Sequence, residues 1–267
     1  MTLKSSVPFE SIAWRGAPAR TTRTVAAEVA VAFIYDGGAE AVMMATPADL
    51  EDFALGFSLN DGVIAAADDI TDIGIVEVER GIELRIALKH RNRDTLVTRR
   101  RRRAGPAGCG LCGVESIAEA LPELQAVTSN LTLTPNEIID AMRALHPLQK
   151  LNAQTQAVHA AAFYVPGEGI VAVREDVGRH NALDKLAGAL VRNGRKARDG
   201  AILMTSRVSV ELIQKATAMG APILAAVSAP TSLALHEAQA ACITVAGIVR
   251  DDGLEIFTHE RRIADAS

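Results

Sequence analysis

Along the first third of the chain, hydrophobic positions come in short stretches broken by turn residues. Val25 to Tyr35 is an apolar run that reads as a strand, Asp36-Gly37-Gly38 is a turn, and Glu40 to Ala45 returns as a second strand. Thr46-Pro47-Ala48-Asp49 predicts a helix start, with Thr46 as N-cap and Pro47 at the first helical position; the helix runs through Phe53, Leu55, Phe57 and Leu59 to Asn60 or Gly62. Ile73–Glu79 and Ile82–Lys89 alternate apolar and charged residues around Arg80-Gly81, the pattern of a hairpin in a half-buried antiparallel sheet. Thr134-Pro135-Asn136-Glu137 carries a capping box and predicts a second helix that ends by His146-Pro147.

Beyond that point the pattern changes. Continuous apolar runs (Ala160–Val165, Ile170–Val173, Ala201–Thr205, Ile223–Val227, Ile243–Ile248) alternate with helical periodicity at His180–Arg192, Val208–Met219 and Ser232–Ala241. Uninterrupted apolar strands between helices predict a sheet covered on both faces. Residues 1–23 mix Pro, Ser, Thr and Arg without periodicity and read as a loosely ordered arm. The expected organisation is that arm, a smaller antiparallel α+β part at 24–103, a cysteine loop at 104–113, connecting helices at 114–150 (a short one from Val114), and a larger α/β part at 151–267. No internal repeat is visible.

Composition narrows the classes. The 267 residues suffice for one large domain or two small ones, and 49% apolar residues supply a sizeable core. No stretch approaches the ~20 unbroken apolar residues of a membrane span, so no membrane is expected among the partners. Lys4, Glu10, Arg15 and Arg20 leave no apolar stretch for a secretory leader. A net charge of -4 argues against general nucleic-acid binding, and 3% aromatics leave little for base stacking. Three cysteines, an odd count in a long chain, exclude a disulfide scaffold. The expectation is a cytoplasmic protein with reduced thiols.

Two of those cysteines fall together in Cys109-Gly110-Leu111-Cys112, between Gly108 and Gly113. Such a pair can hold half a zinc site, cycle as a dithiol, or carry sulfur as a persulfide. A reactive thiol must be a thiolate, which neighbouring cations favour. The five arginines Arg99–Arg103 could supply that field, although such a run is equally a solvated patch. The loop also spells G-x-G-x-x-G, but no apolar strand precedes it, as a dinucleotide fingerprint requires. No second Cys-x-x-Cys completes a structural zinc site, and none of the six histidines begins the His-x-Glu of the zinc deaminases, so no catalytic zinc is expected.

A second candidate runs from Arg174 to Lys185: Arg-Glu-Asp-Val-Gly-Arg-His-Asn-Ala-Leu-Asp-Lys. It leaves an apolar strand and opens a helix, the setting in which α/β sheets bind ligands and free N–H groups suit phosphate. Seven of its twelve residues are ionisable, a poor choice for a plain connector; the structural alternative is a salt-bridged helix start with Asp184 and Lys185 on its surface. Thr205-Ser206-Arg207 and Ser228-Ala229-Pro230-Thr231-Ser232 are further strand-to-helix junctions, each readable alone as an N-cap, by Ser206 in the first. Three such junctions in a row would line one sheet edge and could hold an extended ligand. His159 reads as a buried, hydrogen-bonded histidine, and Cys242, between Ala241 and Ile243, as core.

Taken in order, these segments resemble the formate dehydrogenase accessory sulfurtransferases, the FdhD/NarQ family. The resemblance rests on Leu55-Gly56-Phe57 with Asn60-Asp61-Gly62-Val63-Ile64, the Cys-Gly-Leu-Cys-Gly loop, His159-Ala-Ala-Ala, the Arg174–Lys185 segment, Ser228-Ala-Pro-Thr-Ser-Leu233, and Arg262-Ile263. It implies a larger domain similar to the cytidine deaminase fold, a mixed sheet covered by helices. It implies a sulfurtransferase that takes persulfide sulfur from a cysteine desulfurase on Cys109, assisted by Cys112. The sulfur would pass to the molybdenum (or tungsten) bis(molybdopterin guanine dinucleotide) cofactor, activating formate dehydrogenase. The family's cofactor-binding stretch corresponds to Ile248, Val249, Arg250, Asp251, Asp252 and Gly253. A homodimer also figures among the expected partners. Two departures stand out: Thr155-Gln156-Ala157 where the family usually has Thr-Gly-Gly, and a cofactor stretch that opens on Ile248 instead of an aromatic and carries Asp251-Asp252. The rival readings are a cofactor-binding chaperone for formate dehydrogenase without sulfur transfer, and a thioredoxin-like redox enzyme, for which the loop lacks the usual strand-to-helix setting.

Overall fold

A computed structural model of the chain describes residues 4–89 and 121–264. The Cys109–Cys112 loop, the Arg99–Arg103 run and the helix expected from Val114 lie outside the described residues. The chain opens with a two-stranded antiparallel ribbon, β1 (Ser6–Trp14) and β2 (Pro18–Ala26), in register from Ser6 opposite Ala26 to Trp14 opposite Pro18. This corrects the reading of residues 1–23 as a loosely ordered arm. Most of the ribbon's residues face solvent, so the inside–outside alternation that betrays a strand never arises.

A four-stranded sheet follows, in the order β4-β3-β6-β5, from β3 (Val29–Tyr35), β4 (Gly38–Ala45), β5 (Ile70–Val78) and β6 (Gly81–Leu88). Both expected hairpins are present, but their joint, β3 with β6, is parallel, correcting the expectation of a purely antiparallel part. The helix α1 (Leu50–Asn60) between the hairpins supplies the crossover that a parallel pair needs. It covers one face of the sheet: Phe53 and Phe57 pack on Phe33 with ring centroids 5.0 and 4.1 Å apart.

Helix α1 begins later than its sequence suggests. Asp49, in left-handed backbone, precedes it, and Thr46 is no cap. Thr46 is fully buried and its polar groups serve a distant segment: its N–H donates to Asp176 at 3.0 Å, its hydroxyl accepts from the Val177 N–H at 3.2 Å, and its carbonyl accepts from Lys185 Nζ at 2.8 Å. Tertiary bonding overrides the local start signal.

The larger part comprises α2 (Pro135–Leu145), α3 (Lys150–Thr155), β7 (His159–Val165), β8 (Gly169–Asp176), α4 (Arg179–Arg192), β9 (Ala201–Met204), α5 (Val210–Met219), β10 (Ile223–Ala226), α6 (Ser232–Ala240), β11 (Thr244–Arg250) and β12 (Gly253–Thr258). Its sheet is six-stranded, in the order β12-β11-β10-β9-β7-β8. The centre β9, β10, β11 is parallel, and the flanking hairpins β7–β8 and β11–β12 are antiparallel, giving a mixed α/β sheet. Leu183, Leu186, Leu212 and Ile213 pack on one face, and Ile138, Ala141 and Leu145 of α2 on the other, as the uninterrupted apolar runs predict.

The two parts join where α1 crosses α4. A Cβ on Gly56 would lie 1.7 Å from the Asp184 carbonyl oxygen, and one on Gly188 2.0 Å from that of Asp52, so the backbones touch because neither residue has a side chain.

Candidate functional site

The Arg174–Lys185 segment divides into two jobs. Most of its polar side chains tie the two parts of the protein together. Asp176, fully buried, accepts from Lys185 Nζ at 2.6 Å, Thr46 N at 3.0 Å, Gly178 N at 2.8 Å and Asn181 Nδ2 at 2.9 Å. Burial pushes the Lys185 ammonium down, and the Asp176 carboxylate opposes that push. Arg174 donates to Asp52 at 2.6 and 2.8 Å, and Arg192 reaches the other oxygen of the same carboxylate at 2.8 Å. Asp184 is clamped by Lys215 at 2.7 and 2.8 Å and by Asn60 at 2.8 Å. Glu175 accepts from the N–H groups of Leu151 and Asn152, each at 2.8 Å, which start α3. Asp184 and Lys185 are therefore fully buried, where a surface position was the structural alternative.

Arg179 and His180 are left to face the strand ends. Because β7 runs antiparallel to β9 and β8, His159 at its start lies beside Thr205 at the end of β9 and near the end of β8. The Ala160 N–H donates to Thr205 Oγ1 at 2.8 Å and fixes this corner. Arg179 opens α4 and its Nη2 lies 3.5 Å from Ser209 Oγ, the N-cap position of α5. The His180 Nε2 sits 3.5 Å from the same hydroxyl and 3.8 Å from the Glu211 carboxylate, an ion-pair distance.

Four basic side chains, Arg179, Arg207, His159 and His180, thus gather at this corner, with the Glu211 carboxylate facing Arg179 and His180, and their electrostatics register it. Burial, then the proximity of Arg207, lowers the Arg179 guanidinium from its ordinary value, against the pull of Glu211. Burial, followed by Arg179 and His180, lowers His159, partly countered by its backbone bond with Thr205. The contact with His180, outweighing burial and helped by Ser209, holds the Glu211 carboxyl at about 2. The buried Arg179 Nε has no hydrogen-bond partner among the described residues. Like charges assembled around an unused donor suit a multiply charged anion such as a phosphate.

The other junctions line up on this edge. Thr231 is the N-cap of α6 and accepts from the Ala234 N–H at 3.3 Å, while Ser206 caps nothing and bonds the Arg207 carbonyl at 3.0 Å. The Ile248 N–H bonds the Ser228 carbonyl at 3.4 Å, and Arg250 Nη1 bonds the Val227 carbonyl, so the 248–253 stretch begins beside the β10 end. Ile248 takes a left-handed φ of 52°, costly for a β-branched residue, at an irregularity in the β11–β12 pairing. Val249 is buried in the core, Asp251 pairs with Arg143 of α2 at 3.2 Å, and Asp252 and Gly253 turn into β12. The structure therefore brings Arg250 to the edge but leaves Val249 and Asp251 facing elsewhere.

Ser209 and Glu211 were not legible as site residues: a serine cap and an acidic first turn are ordinary helix grammar. Arg262 is structural, its Nη1 and Nη2 donating to the carbonyls of Cys242 at 2.7 Å and Val127 at 3.2 Å. Cys242 is half-buried in left-handed backbone, φ 56°, so the reading of it as core is corrected. Among the described residues no cluster of His, Cys, Asp and Glu could hold a metal ion, and no helix is long and apolar enough to cross a membrane.

Fold and edge together define a mixed α/β protein whose larger sheet presents a cation-lined surface at its strand ends. Comparison with known proteins gives this a lineage. The model of the FdhD/NarQ family matches residues 26–264. Sulfur carrier protein FdhD of Agrobacterium fabrum is 51% identical over 251 residues, 93% of this chain and 92% of the relative. Its namesake in Brucella abortus is 48% identical, covering 92% of each. A crystal structure from Desulfotalea psychrophila, provisionally described as a formate dehydrogenase accessory protein, superposes with a TM-score of 0.78 at 25% identity, covering 98% of this chain and 100% of that one. The chain belongs to the FdhD/NarQ family.

Proposed function

We propose that this chain is a cytoplasmic sulfur carrier for formate dehydrogenase. The reading is carried by the 51% identity, over 93% of the chain, to a protein named for sulfur carriage. In the first step the Cys109 thiolate attacks the terminal sulfur of a cysteine desulfurase persulfide. A new S–S bond forms on Cys109, the donor's S–S bond breaks, and the donor leaves as a thiolate. Cys112, three residues on, assists the relay. The acceptor is the molybdenum bis(molybdopterin guanine dinucleotide) cofactor, a substrate rich in phosphates. The cationic edge of Arg179, Arg207, His159 and His180, with Arg250 at the β10 end, supports that half of the reading. Residues 248–253 would meet the acceptor through Arg250 and the exposed turn, with Val249 a packing residue. The helix-covered mixed sheet supports the finer likeness to the cytidine deaminase fold.

The test is mass spectrometry of the chain after incubation with a cysteine desulfurase and cysteine, with iodoacetamide trapping. An extra sulfur on Cys109, absent from Cys109→Ala, is the expected result. No extra sulfur on either loop cysteine, with a desulfurase shown active on another acceptor, would favour a cofactor chaperone that transfers no sulfur.

A further inference from the structure

A cavity of about 540 Å³ opens at the pole of the larger sheet opposite to the cationic edge. Arg195, Lys196 and Arg198 of its wall precede β9, and Met219 and Gly220 precede β10. It therefore lies at the start of the parallel strands whose ends face Arg179 and Arg207. Its size is that of a ligand cleft, about 300–1,000 Å³. The half-buried Leu59 and Met219 and the buried Val127 and Leu190 give it an apolar lining. Its charges are of one sign: among the described residues the three cations line it and no carboxylate does, in a chain of net charge -4.

These cations are not all spent within the chain. Arg195 pairs with Glu168 at 2.8 Å, whereas Arg198 stands 3.8 Å from Asp199 with its side chain 59% exposed. Lys196 is exposed and pairs with nothing among the described residues. The backbone adds donors. The Val127 N–H bonds the Ala241 carbonyl and the Val127 carbonyl accepts from Arg262, which holds this stretch against the core. Ala126 and Thr128 on either side are exposed, and their N–H groups bond nothing among the described residues. The wall at Gln125–Thr128 is also the stretch by which the chain re-enters the described fold after Cys109 and Cys112.

We infer that this cavity is where the protein that donates persulfide sulfur docks, inserting an extended acidic segment with an apolar anchor. The inference rests on the sulfur-carrier reading. A carrier meets two partners in turn, and the strand-end edge suits the phosphate-rich acceptor. The opposite pole, beside the stretch that leads back from Cys109, is left for the donor. The apolar lining takes the anchor side chain, as buried anchors do in protein contacts. Lys196 and Arg198 meet the carboxylates and steer the encounter. The N–H groups of Ala126 and Thr128 donate to the carbonyls of the segment, as an open backbone edge does toward an added strand. Docking adds no chemical step, and the sulfur exchange at Cys109 is unchanged.

Steady-state persulfide loading of the full chain by a cysteine desulfurase tests it, with the chain as the varied substrate. Lys196→Glu combined with Arg198→Glu raises the KM for this chain at least about tenfold and leaves kcat within about twofold, because binding is lost and the exchange is not. The circular dichroism of the double variant matches wild type, since both residues are exposed. Lys150→Glu, the same reversal at an exposed lysine of α3, keeps the wild-type KM. Added salt raises the wild-type KM and hardly moves that of the double variant. Wild type loaded with sulfur beside a double variant of unchanged KM, or of lowered kcat at unchanged KM, overturns the docking and leaves the sulfur reading standing. Wild type that takes no sulfur from a desulfurase active on another acceptor overturns the sulfur reading, and the docking with it.

Discussion

At the scale of single residues, the Asp176–Lys185 pair decides whether the two parts of the protein stay registered. Both side chains are fully buried and 2.6 Å apart. Removing one partner strands the other charge, so Lys185→Met should cost about 3–5 kcal/mol in urea unfolding, and Asp176→Asn in the same background should recover much of it. A loss under about 1 kcal/mol would show the pair to be dispensable. The sequence singled out this segment for its charge density and read it as a ligand site or, alternatively, a salt-bridged helix start; the structure divides it between the two. Local spacing could not divide it, because the bonds of Asp176 to Thr46 and of Arg174 to Asp52 reach more than a hundred residues along the chain. Only Arg179 and His180 face the edge the spacing suggested. The departure at Gln156 also becomes physical here. It ends α3 in left-handed backbone, φ 55°, where the family's usual glycine has no Cβ conflict. Gln156→Gly should therefore raise stability by about 0.5–1 kcal/mol in thermal unfolding, the loss of an exposed bond from Arg23 notwithstanding. Unchanged or lower stability would mean that this bond outweighs the backbone.

Among the elements, the crossing of α1 on α4 is the contact with least room to adjust. A Cβ on Gly188 meets backbone, the Asp52 carbonyl at 2.0 Å, and not a side chain that could swing aside. Gly188→Ala should separate the helices and cost about 3 kcal/mol or more, although alanine is the better helix former by about 1 kcal/mol. A stabilised Gly188→Ala protein would refute the close crossing. Elements whose signals are local were readable in advance. The Thr134–Glu137 capping box is built as its spacing implies, the Glu137 N–H donating to Thr134 Oγ1 at 3.2 Å and the Thr134 N–H to Glu137 at 2.8 Å. The covered strands β7, β9, β10 and β11 announced themselves as uninterrupted apolar runs. Two features did not. The β1–β2 ribbon lacks a buried face, so its alternation carries no hydrophobic signal. The parallel pairing of β3 with β6 depends on how the chain routes α1, which no window of residues contains.

For the whole molecule, the cationic edge couples folding to pH in a way that an anion should abolish. His159 has its proton affinity lowered in the folded state, first by burial and then by Arg179 and His180. The folded protein consequently binds fewer protons at this residue than the unfolded chain does. Stability then falls as pH drops through about 6.5, the unfolded value, and levels off below the folded one. Glu211 works in a separate window. Held at about 2 against an ordinary 4.5, it contributes stability that is complete above 4.5 and is lost only between there and its folded value. Between pH 5 and 8 it is silent, and the histidine dominates what this edge contributes. A bound polyanion reverses the repulsion that lowers His159, so by linkage its binding must take up protons and tighten as the solution is acidified. Pyrophosphate is a sufficient probe. At 100 times its dissociation constant it should add about 2.7 kcal/mol to stability. Its affinity should be greater at pH 6 than at pH 8, and its histidine resonance for His159 should titrate at higher pH when it is present. Arg179→Gln should remove both the stabilisation and the pH dependence while leaving the Asp176–Lys185 registration intact. Binding that weakens on acidification, or that survives Arg179→Gln unchanged, would place the anion elsewhere on the molecule and detach the strand-end edge from the acceptor.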